Sequence, residues 1–213
     1  AKDLVEWTPQ AVLLRPDAED APETEFYLMK AFPYAGRWFG ILMKYYGDPK
    51  NPDKHSSIIR NELIVSDDAR AWRRPFRSTD LGFFSFADPF PDRRMLSFAS
   101  WKDNALTLFR YEPTRLTAAT AEGDGEFTTS VIEDGSGITA VDVDTLREGA
   151  WVDVELLDAE GGTVPRAEPV RIERVGGLVQ AVRPEVVMPP RYRLGFRLHD
   201  ATVFCVMRTG VLR

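Results

Sequence analysis

The chain has 213 residues, 44% of them hydrophobic and 28% charged, a balance that excludes a disordered or collagen-like polymer. A formal net charge of −6 argues against general nucleic-acid binding, because backbone phosphates are repelled unless a local basic patch overcomes that field. The single cysteine excludes an intramolecular disulfide, and no apolar run approaches the roughly 18 residues that a spanning helix needs.

The nearest approach to a basic patch is Arg70, Arg73, Arg74 and Arg77, which reads as a solvated arginine face. Cys205 lies in the apolar run Val203-Phe204-Cys205-Val206-Met207 and reads as a small buried hydrophobe, since a nucleophilic thiol needs a basic partner and the only histidines are His55 and His199. The expectation is a soluble, cytoplasmic protein with no nucleic-acid or membrane partner. Export stays open, because a leader can be removed ahead of the first residue.

In chain order, the first strand candidate is Ala11 to Leu14, between Pro9 and Pro16, followed by an acidic loop from Asp17 to Glu25. The aromatic segment Phe26 to Tyr46 predicts two strands joined by the turn Pro33-Tyr34-Ala35-Gly36, and the proline-rich stretch Gly47 to Asp53 predicts an exposed loop. Ser57 to Ser66 supplies another strand. Asp67-Asp68-Ala69-Arg70 then makes a tight turn held by its own side chains, and Trp72 returns to cover the hairpin. Short strands are expected at Phe83 to Phe86, Met95 to Ala99 and Ala105 to Phe109.

Beyond Pro113 the texture changes. Glu122-Gly123-Asp124-Gly125 reads as a turn, and Phe127 to Ile132, Ile138 to Val143 and Trp151 to Leu157 as successive strands. In the last of these Val152, Val154 and Leu156 face one way and Asp153 and Glu155 the other, the period of two that a half-buried sheet requires. Asp158 to Gly162 has the residues of a tight connection. A second such alternation puts Tyr192, Leu194, Phe196 and Leu198 on one face and Arg191, Arg193, Arg197 and His199 on the other. Asp200 is expected to turn the chain back into Ala201 to Met207, closing a hairpin.

No convincing helix is present; the best candidate, Val143 to Ala150, ends at Gly149 after about one turn. The fold class expected is all-β, with an antiparallel β-sandwich-like C-terminal half (113–213) and a partial propeller-like, aromatic-rich N-terminal half (1–112).

Two groups of segments carry a resemblance. MKAFPYAGRWFGILMKYYGDPKNP followed by NELIVSDDARAWRRPF resembles a blade pair of the glycoside-hydrolase-like five-bladed propellers related to the invertase and arabinanase superfamily. Their Ser-x-Asp-Gly-x-x-Trp type of turn is here Ser66 to Trp72, with Ala69 standing where the pattern usually has glycine. LTLFRYEPTRLTA, GEFTTSVI, ITAVDVDT, WVDVELLDAEGGTVP and RYRLGFRLHDATVFCVM resemble the carboxy-terminal sandwich attached to those propellers, with Leu198-His199-Asp200-Ala201 as its closing motif. About 110 residues precede the sandwich, whereas five blades need on the order of 250–300, so two blades at most are implied.

The resemblance implies a small-molecule enzyme acting on a carbohydrate or carbohydrate-like substrate. Glycoside hydrolysis requires two carboxyl groups, one to protonate the leaving oxygen and one to attack or to activate water. The candidates are Glu62, Glu25 and Asp88, with Asp103 beside them; Glu62 leads, because its strand neighbours are apolar and could aim it into a cleft. Tyr34, Trp38, Tyr45, His55 and Trp101 are the candidate ligand-binding residues of an aromatic-lined pocket, which a solid aromatic core would equally explain. Such a pocket fits a non-hydrolytic cyclising or isomerising enzyme, or a binding protein; a structural or assembly module is the third class. No cofactor or metal is expected, since there is no phosphate loop and no spaced ligand set. A homo-oligomer covering exposed strand edges is expected.

Overall fold

The computed structural model describes residues 11–47, 58–92, 95–133, 138–173, 177–180 and 186–208. Their fold is all-β with several antiparallel sheets, and no helix occurs among them. The chain divides into two compact units, 1–111 and 112–213.

In the first unit β1 (Thr24–Tyr34), β2 (Arg37–Tyr46), β3 (Ile58–Ser66) and β4 (Trp72–Arg73) form a four-stranded meander in chain order. The β1–β2 turn is the two-residue loop Ala35-Gly36, with φ of 50° and 76°, the left-handed pair that the right-handed twist of a hairpin favours. β5 (Phe90–Asp92), β6 (Met95–Lys102) and β7 (Ala105–Tyr111) make a second, three-stranded sheet. The inward rings pack on one another: Phe32 lies edge-on to Phe98 at 5.4 Å, and Phe83 stacks on Phe109 at 4.3 Å. The aromatic set is thus in large part a core.

In the second unit β8 (Ala119–Thr128), β9 (Ile132–Glu133), β10 (Ile138–Thr145), β11 (Trp151–Asp158), β12 (Val170–Ile172), β13 (Gly177–Gln180) and β14 (Arg191–Arg208) share one sheet. The 18-residue β14 organises it. Tyr192 to His199 pair with β11, Ala201 to Arg208 pair with β10, and β8 follows much of the opposite edge. The expected alternation holds: Val152, Val154, Leu156, Tyr192, Leu194, Phe196 and Leu198 are all buried in one core cluster, where burying each such side chain stabilises by about 1.5–3 kcal/mol.

Several sequence expectations fail for identifiable reasons. Ala11 to Leu14 is not in a strand. Phe83 to Phe86 joins no ladder; the carbonyl of Phe84 instead accepts the Ser100 hydroxyl at 2.7 Å. Glu122 to Gly125 is not a turn but the middle of β8, and Asp200 does not reverse the chain. Gly123 (φ 86°) and Asp200 (φ 48°) are both left-handed, and the Asp200 carboxylate accepts the Gly123 N–H at 2.7 Å. The ladder shifts register there, so the two residues form a bulge that bends a pair of continuing strands.

Candidate functional site

Glu62 lies on β3 opposite Leu42, and its side chain is fully buried. Lys44, diagonally across on the same face, approaches its Oε2 at 2.7 Å. Arg74 donates to both carboxylate oxygens, Nε to Oε1 at 3.0 Å and Nη2 to Oε2 at 2.8 Å, and reaches onward to both oxygens of Asp20 at 2.5 and 2.6 Å. Burial opposes the Arg74 charge, but the hydrogen bonds to Asp20 and Glu62 more than offset it and raise its pKa. Arg77 clamps Asp17 and Glu19 beside this network. The ion pairs therefore fasten residues 17–20 to the meander, and Glu62 is neutralised within them.

This corrects in part the reading of the arginines as a solvated face: Arg70 and Arg73 are exposed as expected, but Arg74 and Arg77 are not. Arg74 is buried, Arg73 pairs with Asp67 at 2.9 Å, and Arg77 is held by Asp17.

The other sequence candidates do not gather around Glu62. Glu25 pairs with Tyr45 in the ladder, so the alternation of β1 and β3 sends Glu25 and Glu62 to opposite faces of the sheet. Glu25 is exposed, and Asp88, also exposed, pairs with Lys30 at 2.8 Å. Asp103 is a turn residue with φ of 50°. Tyr45 is buried, Tyr34 packs edge-on to Phe39, Trp38 shares the face of Glu62 but is exposed four residues along the ladder from it, and Trp101 is 70% exposed on the β6–β7 hairpin. His55 lies outside the described residues.

A different surface has the character of a binding site. On the outer face of the second unit, β12, β11, β14 and β8 align side chains in rows across the strands. One row runs Arg171, Asp153, Arg197, Glu126, and the next runs Glu155, Gly195, Thr128. Together they enclose an open groove of about 550 Å³. Arg171 holds Asp153 through two bonds at 2.7 and 2.8 Å, which lower the Asp153 pKa. Arg197 stands 3.8 Å from the same carboxylate. Thr163 donates its hydroxyl to Glu155 at 3.1 Å.

The floor of this groove is Gly195. Glycine inside a central strand weakens it, and often marks a place where another group approaches the backbone. A Cβ here would meet chiefly the methyl end of Leu157 at 3.2 Å, whereas at Gly40 it would run into Ile64 at 2.8 Å and the Trp72 ring at 3.1 Å. Gly40 is a packing glycine. Gly195 leaves a depression open to solvent, bordered by carboxylates, a guanidinium and a hydroxyl.

At one end of the groove a layered stack continues the polar face. The Arg171 guanidinium lies 4.3 Å over the Trp151 ring, and Trp151 stacks on His199 at 6.0 Å. His199 Nδ1 lies 2.7 Å from an Asp124 oxygen, and Nε2 lies 3.3 Å from Asp200. Arg147 pairs with the same Oδ2 of Asp200. Cys205 takes no part in any site: burial first, and then the Asp142 charge, push its thiol up to about 11.

Sequence reasoning saw the two alternating strands and explained their polar faces as solvated. The signal it passed over was Gly195, the one residue that breaks an otherwise regular run of large side chains on that face. Among the described residues no group of three or more His, Cys, Asp and Glu side chains is placed to hold a metal, and no helix is long and apolar enough to cross a membrane.

No family model and no curated protein matches the sequence. Among solved structures, the chain is similar to a glycoside hydrolase family 43 arabinoxylan arabinofuranohydrolase from Bacillus subtilis, in a complex with cellotetraose. The identity is 10% and the TM-score 0.25, over 83% of this chain and 40% of that one. The chain thus spans less than half of that enzyme, and an overlap of this quality carries no functional argument.

Proposed function

We propose that this chain is a saccharide-binding protein that takes a small polyhydroxylated ligand in the groove over Gly195. In this reading the four-stranded meander is one blade of a partial propeller, and the second unit is a sandwich-like domain. The observation that carries the proposal is the glycine floor in the first third of the 18-residue β14, with Glu126, Glu155, Asp153, Arg197 and Thr128 around it. Adjacent sugar hydroxyls each donate and accept, so they pair with a carboxylate and a guanidinium set side by side; the glycine lets a ring approach the strand.

Hydrolysis is not part of this reading. Of the acids expected to perform it, Glu62 is neutralised by Lys44 and Arg74, and Glu25 leaves from the opposite face. Fully buried and held by Lys44 and Arg74, the Glu62 carboxylate presents no open face to a substrate.

The test is a thermal-stability screen with neutral mono- and oligosaccharides at millimolar concentration, run on the native chain and on Gly195→Val. A ligand selective for the folded state raises the melting temperature. The expected result is a shift for the native chain that Gly195→Val abolishes, while its melting temperature without ligand stays equal or rises, because valine favours a strand. No shift with any sugar, or an equal shift in both proteins, would count against the groove.

A further inference from the structure

The charges that line the groove over Gly195 do not balance. Three carboxylates, Glu126, Asp153 and Glu155, face one guanidinium, Arg197. A cleft lined by an excess of one sign draws in the opposite sign, so the partners of each group decide what the groove attracts.

Asp153 is satisfied by cations. Its side chain is only 10% exposed, Arg171 donates to both of its oxygens at 2.7 and 2.8 Å, and Arg197 stands 3.8 Å from one of them. Arg171 is itself seated on the Trp151 ring at 4.3 Å, which keeps that cation at the rim with its charge turned to Asp153.

Glu155 and Glu126 are held differently. Glu155 accepts the Thr163 hydroxyl at 3.1 Å, a neutral donor that leaves the carboxylate charge uncompensated. Glu126 is paired with Arg197 in the ladder, yet among the described residues no cation lies within ion-pair distance of Glu126 or of Glu155. Arg193, two residues before Gly195, does not neutralise them either. Its guanidinium donates instead to the carbonyls of Ala159 at 2.9 Å and Thr129 at 3.1 Å.

These two carboxylates flank the glycine floor from opposite sides. Glu155 is directly across from Gly195 on β11, and Glu126 is diagonal to it on β8. Neighbouring strands lie about 4.8 Å apart and diagonal neighbours about 7–8 Å, so a group seated on the floor is within reach of both long side chains at once.

We infer that the preferred saccharide of this groove bears a protonated amine: an amino sugar whose ammonium group sits over Gly195 and donates to Glu155 on one side and Glu126 on the other. An ammonium carries three donors and no acceptor, which suits two carboxylates turned to one depression. The ring hydroxyls are left to Arg197, a donor, and to Thr128, whose hydroxyl both donates and accepts. This ligand class rests on the saccharide reading of the groove and adds the sign of a charge to it.

Amide chemical-shift titrations of the full chain, at a pH where the sugar amine is protonated, compare glucosamine, galactosamine and mannosamine with their parent hexoses and their N-acetyl derivatives. Acetylation keeps the ring and removes the charge, and putrescine supplies the ammonium without the ring. At least one amino hexose is expected to bind about tenfold more tightly than its parent and its N-acetyl derivative, because hydrogen bonds to charged groups are the stronger ones. Glu155→Gln and Glu126→Gln each keep the side-chain shape and remove one charge, and each is expected to reduce that preference. Glu148→Gln, an equal change of charge at an exposed position outside the groove, is expected to retain it. Equal affinity for amino, parent and acetylated hexoses would overturn the charge assignment while leaving the saccharide groove in place, as would a preference that survives both groove variants. Putrescine binding as tightly as the amino hexoses, or no saturable shift with any sugar, would overturn the saccharide reading and this inference with it.

Discussion

Glu62 shows how a residue type that suggests chemistry can be structural. Its carboxylate sits between Lys44 and Arg74 in the interior of the first unit, and removing one partner of a buried pair leaves the other charge uncompensated, at a cost of about 3–5 kcal/mol. Glu62→Gln is therefore expected to lower unfolding free energy by that amount in urea titrations, and Glu25→Gln to change it by less than about 0.5 kcal/mol. Equal, small effects would contradict this account of the network. The Ser66–Trp72 turn gives a prediction of opposite sign. Asp68 Oδ1 accepts the N–H groups of Arg70 and Ala71 at 2.8 Å each, and Ala69 sits at φ 59°, where a Cβ is strained. Ala69→Gly relieves that strain and is expected to raise stability by roughly 1 kcal/mol in the same titration. Acid tests the clamp. The hydrogen bond from Arg77, and next the N–H of Glu19, lower the Asp17 pKa from 3.8 to about 2, and Arg74 lowers that of Asp20. The unfolded chain takes up these protons first. The contribution is therefore complete above pH 3.8 and lost as pH falls toward about 2. The urea midpoint is expected to drop across that window, with a shallower slope in Arg77→Ala.

At the scale of elements, the bend in β14 decides the second unit. Asp200 holds a left-handed conformation by accepting the Gly123 N–H and pairing with Arg147, and those bonds lower its pKa. Asp200→Ala keeps the strained backbone and loses both bonds, whereas Asp200→Asn keeps an acceptor and tolerates the conformation. The alanine variant is expected to have the lower melting temperature; the reverse order would show that the carboxylate does not fix the bend. This is also where sequence reading reached its limit. The period of two in β11 and β14 was readable, because each strand buries one face and the pattern needs no knowledge of its neighbours. Gly123, Asp124 and Asp200 were misread because the residues that permit a turn also permit a bulge, and only pairing on both sides of β8 and β14 separates the two. The groove was invisible for a related reason: Glu126, Asp153 and Arg197 come from three strands, and their meeting depends on a register that no single segment encodes.

At the scale of the whole molecule, the two units use charge in contrasting ways. The first buries Glu62, Lys44 and Arg74 to fasten a chain segment to a sheet, and the second sets Glu155, Arg197 and Glu126, beside the Arg171-held Asp153, around an open glycine floor. The proposed reading places recognition in the second unit, which also holds structural ion pairs of its own, Arg115 with Asp142 and Arg147 with Asp200. The most direct measurement is an amide ¹⁵N–¹H chemical-shift titration of the full chain with the saccharide that most raises its melting temperature. The account predicts saturable shifts confined to residues 126–128, 153–157 and 195–197, and their loss in Gly195→Val. Shifts centred instead on the meander around Glu62, or no saturable shift at all, would contradict it.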